Sequence, residues 1–121
     1  MAQDFERAVA FDGSGDVDIG TTPRTILTSN SDDAIVGIRL ANIHASAAIT
    51  ADVYITSDAS GSSGDSYIIK NATIPFGSSL ELIDSGAKII VQSGDALKAV
   101  CDTANSLNVW VSYVDAISTD P

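Results

Sequence analysis

Reactive side chains are scarce in this chain of 121 residues, which holds one cysteine, one histidine and one tryptophan. The lone Cys101 cannot close an internal disulfide. Alternation in "LKAVC" puts it on the same face as Leu97 and Ala99, as a small buried thiol. A nucleophilic thiol needs a base nearby and a positive setting, and the sequence offers neither. The single histidine, His44 in the turn-like "NIHASA", cannot complete a histidine-rich metal site and reads as an exposed loop residue. Basic residues are few as well: 6 Lys and Arg stand against 16 Asp and Glu, a net charge of −10. That balance excludes a nucleic-acid surface, which must replace counterions with Lys and Arg. It suits a soluble protein that repels stray copies of itself or docks on a basic partner. No stretch approaches membrane-spanning length, and no basic segment followed by an apolar run opens the chain. The expectation is a soluble protein made in the cytoplasm, with no membrane partner.

What the chain has is alternation. Hydrophobic residues make up 45% of it, and one domain of this size buries roughly 65% of its unfolded surface. "AIVGIRLANI" (34–43) puts Val36, Ile38 and Leu40 on one face and Gly37, Arg39 and Ala41 on the other. "AITADVYITS" (48–57) turns Ile49, Ala51, Val53 and Ile55 inward and Thr50, Asp52, Tyr54 and Thr56 outward. Such period-two patterns predict half-buried strands, and the short "HASA" between them predicts an antiparallel hairpin. Further strands are predicted at 66–74, 79–83, 88–92, 96–100 and 107–114, with weaker ones at 17–20 and 24–29. "PFGS", "DSGA", "QSGD" and "DTANS" are turn chemistry. "SDASGSSGDS" (57–66) is polar and glycine-rich, which predicts an exposed mobile loop. No window has helical period with a cap and a stop. These signals predict an all-β sandwich or small barrel, with an antiparallel β-sandwich of the jelly-roll type over residues 17–117 as the expected fold. An extended N-terminal arm (1–16) carries Phe5, Val9 and Phe11 before a Gly13/Gly15 hinge. It is expected either to pack on a neighbouring subunit or to fray beyond one short edge strand. Residues 118–121 are a polar C-terminal tail.

A search for chemistry returns little. Asp58, Ser60, Ser62 and Asp65 could offer oxygens to calcium, but the fixed glycine and terminal bidentate Glu of a calcium loop are missing. Asp84 and Asp95 read as turn acids that bond the backbone two residues on. The serines lie in glycine-rich turns rather than at a strand-to-helix elbow. Trp110 alternates to the face opposite Val109, Val111 and Tyr113, with burial within the chain favoured over contact with a partner. No catalytic, cofactor-binding or metal-binding residue is assigned, and a hydrolase on a β scaffold is disfavoured. A carbohydrate-binding β-sandwich is a competing class, weakened by a total of three Phe, three Tyr and one Trp.

Three elements carry a resemblance: the "RLAN" strand, the "IPFGSSLEL" turn into a strand, and "QSGDALKA", a Gly-Asp turn before a strand. Over roughly residues 35–114 the chain resembles small β-rich virion structural proteins of tailed phages, especially marine and cyanobacterial ones. The resemblance implies a non-enzymatic β-sandwich in many copies that decorates or cements a capsid, with a neck or tail component as the alternative. It implies the major capsid protein or other virion proteins as partners, a virion location after synthesis in the host cytoplasm, and a homo-oligomer, expected as a trimer.

Overall fold

The computed structural model describes residues 4–10, 19–57, 64–83 and 88–115. Among these the chain is all strand and turn, with no helix. The strands are β1 (Asp4–Ala10), β2 (Arg24–Thr28), β3 (Asp33–Asn42), β4 (Ile49–Ser57), β5 (Gly64–Ile74), β6 (Ser79–Glu81), β7 (Ile89–Val91), β8 (Ala96–Cys101) and β9 (Leu107–Asp115). They form two antiparallel sheets. The first has the order β1-β9-β3-β6, with β7 also on β3. Because β6 pairs with Arg39–Ala41 and β7 with Asp33–Ile35, these two short strands act as one interrupted strand beside β3. The second sheet has the order β2-β8-β4-β5. Counted this way, every link except β4–β5 and the β6–β7 interruption passes from one sheet to the other, and the order is that of a jelly roll.

This order overturns the predicted β3–β4 hairpin. The two strands lie in different sheets, and residues 43–48 carry the chain across one end of the sandwich. Asn42 holds that crossing. Its buried carboxamide donates Nδ2 to Ala47 O (2.9 Å) and to Ile74 O (3.0 Å), while its Oδ1 accepts from His44 N (2.8 Å). Backbone bonds from Asn42 N to Ser78 O and from Ile43 N to Ser106 O tie the other links at that end to it. The hairpin the chain does make is β4–β5. Ser57 ends one strand and Gly64 opens the next, so the predicted 57–66 loop is shorter than its composition implies, and residues 58–63 lie outside the described residues.

The core lies between the sheets and includes Ile19, Ile35, Ile38, Leu40, Ile49, Val53, Ile74, Leu97, Leu107 and Val111. Period two is interrupted where β3 meets β9. A bulge between Ile35 and Gly37 lets both Ile35 and Ile38 point into the core and leaves Val36 half-buried, which corrects its placement among the inward residues. Tyr54 points outward as predicted by alternation yet is buried, because the Tyr67 ring packs on it at 5.0 Å and Lys98 stands opposite on β8. Gly77 and Gly94 adopt φ of 75° and 96°, the left-handed region that a side chain disfavours, in the "PFGS" and "QSGD" turns. Residues 4–10 of the N-terminal arm form β1, paired with β9 of the same chain at seven positions. The rest of the arm, Asp84 and the 118–121 tail lie outside the described residues.

Candidate functional site

The two outer faces of the sandwich differ. On the second sheet, register sets Thr25, Lys98, Tyr54 and Tyr67 in one row across the strands, and Thr28, Ala96, Thr56 and Asp65 in another. That face is hydroxyl and charge. On the first sheet, one row is wholly apolar: Phe5 of β1, Val114 of β9, Ala34 of β3 and Ile90 of β7 stand side by side. Phe5 is 84% exposed and Ile90 54%. The next row holds Arg7, Ser112 and Gly37, and the one after it Trp110, Arg39 and Glu81.

Trp110 is the centre of this face. Its side chain is 48% exposed, which overturns the expected burial within the chain. Alternation is the cause: Val109 and Val111 take the core side of β9, and the indole is left on the solvent side. The Arg7 guanidinium stacks 5.1 Å from the ring centroid. Directly opposite on β3, Arg39 donates Nε to Glu81 Oε1. Small neighbours keep the floor low on both sides of the Trp110–Arg39 pair. A trough of 510 Å³ lies toward Ala41 and Asn108, and one of 200 Å³ lies toward Gly37, Ser112 and Glu81. The Asn108 Oδ1 in the larger trough is buried and has no hydrogen-bond partner among the described residues. An exposed ring, two guanidiniums, a carboxylate and an unpartnered amide oxygen can hold a ligand but lack a nucleophile with its base.

The residues singled out from sequence lie elsewhere and apart. His44 is half-buried in the β3–β4 link, not fully exposed, and its Nδ1 accepts from Ser46 N (3.1 Å) and Ala47 N (3.0 Å), a purely structural use. Asp95 reaches back rather than forward, accepting from Gln92 N at 2.9 Å. Asp65 accepts from Thr56 Oγ1 at 2.9 Å, and its suggested calcium-loop companions Asp58, Ser60 and Ser62 lie outside the described residues. Among the described residues no three acids, histidines or cysteines cluster as metal ligands. Asp102, mostly exposed, is held below the ordinary carboxylate range chiefly by the Thr50 N–H that it accepts at 3.0 Å. Its contribution to stability is present at neutral pH and is lost as acid protonates it.

Cys101 is buried, with Sγ 2.9 Å from Thr103 O and 3.4 Å from Ile19 O. Burial pushes its thiol above the ordinary range. The thiolate is the reactive form, so Ellman's reagent should modify the native protein at least about tenfold more slowly than the protein in denaturant. Equal rates would show that this end of the sandwich opens freely.

Sequence reasoning missed Asn42 and the Trp110 face for different reasons. Asn42 looks like a strand-end residue, and its three partners come from segments that only the fold brings together. Alternation sets Trp110 on the face opposite Val109 and Val111, but whether another layer covers that face is a tertiary property.

The class defined by these features is a jelly-roll β-sandwich whose first sheet carries an exposed tryptophan and an apolar row on its outer face. No model of a known protein family matches the chain, and no curated protein matches it in sequence.

Proposed function

We propose that this chain is a non-enzymatic structural protein of a phage virion, a decoration or cement module of the head shell. In this reading it works as a homo-oligomer, a trimer, against the major capsid protein. A neck or tail position is the alternative within the same class. The observation that carries the reading is the apolar row Phe5–Val114–Ala34–Ile90, which crosses all the strands at one end of the first sheet with its two outer members open to solvent. Exposed apolar side chains of that kind on a chain of net charge −10 support a protein contact here, with Phe5 and Ile90 flanking the buried Ala34. The jelly-roll order and the resemblance over residues 35–114 supply the virion context.

Deleting the arm is a poor test, because β1 covers the edge of β9 and its loss would leave that edge unpaired. Point substitution is cleaner. The double variant Phe5→Ser/Ile90→Ser should keep its circular dichroism spectrum and lose about 4 kcal/mol of docking energy, roughly a thousandfold in affinity for the particle. Cryo-electron microscopy of particles mixed with either form reads this as empty decoration sites. A double variant that fills the particle as well as the parent would sink the proposal.

A further inference from the structure

We infer that the larger trough beside Trp110 is a binding site for an acidic saccharide, a pyranose ring bearing a carboxylate. The inference goes beyond the virion reading and does not depend on it. The apolar row lies four residues along β9 from Trp110, at Val114, a distance of about 13 Å.

The chemistry of the trough selects this ligand. Trp110 presents an apolar plane to which the C–H face of a sugar ring is complementary, and Ala41 leaves room beside it. Polar groups ring the plane. Asn108 Oδ1 has no partner among the described residues and accepts a hydroxyl proton. Arg39 uses Nε on Glu81, so its Nη hydrogens remain to donate in a fork to vicinal hydroxyls or a carboxylate. Arg7, which stands beside Ser112 rather than among the residues lining the larger trough, sits over the indole with no carboxylate partner among the described residues. The immediate surroundings of Trp110 thus hold two guanidiniums and one carboxylate on a chain of net charge −10. That local excess of positive charge favours an anionic ring over a neutral one. An extended peptide is disfavoured, because peptides join a sheet through unpaired edge groups, whereas β9 and β3 are interior strands with both edges paired.

The test uses the full chain, and the single tryptophan serves as its own reporter. Tetragalacturonic acid is titrated against intrinsic fluorescence, with neutral galactotetraose and a hexaglutamate peptide as controls. An array of acidic and neutral glycans extends the survey. Tetragalacturonic acid is expected to give a saturable change, with galactotetraose and hexaglutamate at least about tenfold weaker. Arg39→Gln and Asn108→Ala should each weaken binding several-fold, and Trp110→Ala should abolish it by calorimetry. Thr25→Ala on the opposite sheet should have no effect. Circular dichroism checks that each variant is folded, and Asn108→Ala, which leaves ring and charges in place, keeps the test decisive if another variant is not. Equal binding of the neutral sugar overturns the acidic assignment, and equal binding of hexaglutamate overturns the role of the ring. Retention of no acidic glycan on the array overturns the site altogether.

Discussion

Replacing Asn42 by alanine is expected to lower the unfolding free energy by about 3 kcal/mol, measured by urea denaturation at neutral pH. The carboxamide serves three backbone groups in a buried position, two carbonyls as donor and one N–H as acceptor. Alanine leaves all three to find new partners at the point where the chain changes sheets. Asn42→Asp should be worse and should depend on pH. A carboxylate oxygen would then face the Ala47 and Ile74 carbonyls in place of the Nδ2 donor. That repulsion raises the folded-state pKa of the new carboxyl above its unfolded value of about 3.9. The variant should therefore be least damaged below pH 4 and lose further stability as pH rises through the folded-state value. A loss under about 1 kcal/mol for Asn42→Ala would show that the crossing does not rely on this side chain.

Ile35→Ala should cost about 4 kcal/mol, while Val36→Ala should cost less than about 1 kcal/mol. Ile35 is fully buried, packed in the core beside Ile38, and stands between Tyr113 of β9 and Ile89 of β7. Truncating it removes several buried methyl groups and leaves a cavity between well-packed sheets. Val36 is the extra residue of the bulge and is only half-buried, so its truncation empties little space. A plain alternating strand with Val36, Ile38 and Leu40 inward would give the reverse order. Thermal or urea unfolding of the two single variants decides between the registers.

The bulge also marks a limit of what alternation can reveal. Strands β4, β8 and β9 were legible because their inward residues, such as Ala51 and Val53, Leu97 and Ala99, or Val109 and Val111, repeat every second position and meet one continuous core. In β3 the pattern "AIVGI" is apolar on both faces, so the sequence does not say where the extra residue sits. The pairing of strands was less legible still. A six-residue link can close a hairpin or cross the sandwich, and the bond that holds the crossing here joins Asn42 to Ile74, 32 residues away. The candidate site divides in the same way. Arg39 and Trp110 were each placed outward by alternation, but their cross-strand pairing and the stacking of Arg7 on the indole depend on which strands become neighbours.

The strand order has a consequence for how the molecule comes into being. In the first sheet, β9 lies between β1 and β3, so the last of the described strands fills the centre of the layer that the first of them borders. Until residues 107–115 leave the ribosome, β1 has no partner in that sheet and Ile35, Ile38 and Leu40 lack their β9 neighbours Tyr113, Val111 and Val109. Nascent chains must wait with this apolar surface uncovered, and folding proceeds through distant pairings, on the millisecond-to-second scale typical of such topologies. A product truncated before β9 cannot close the layer, so synthesis through β9 is the condition for a closed sandwich.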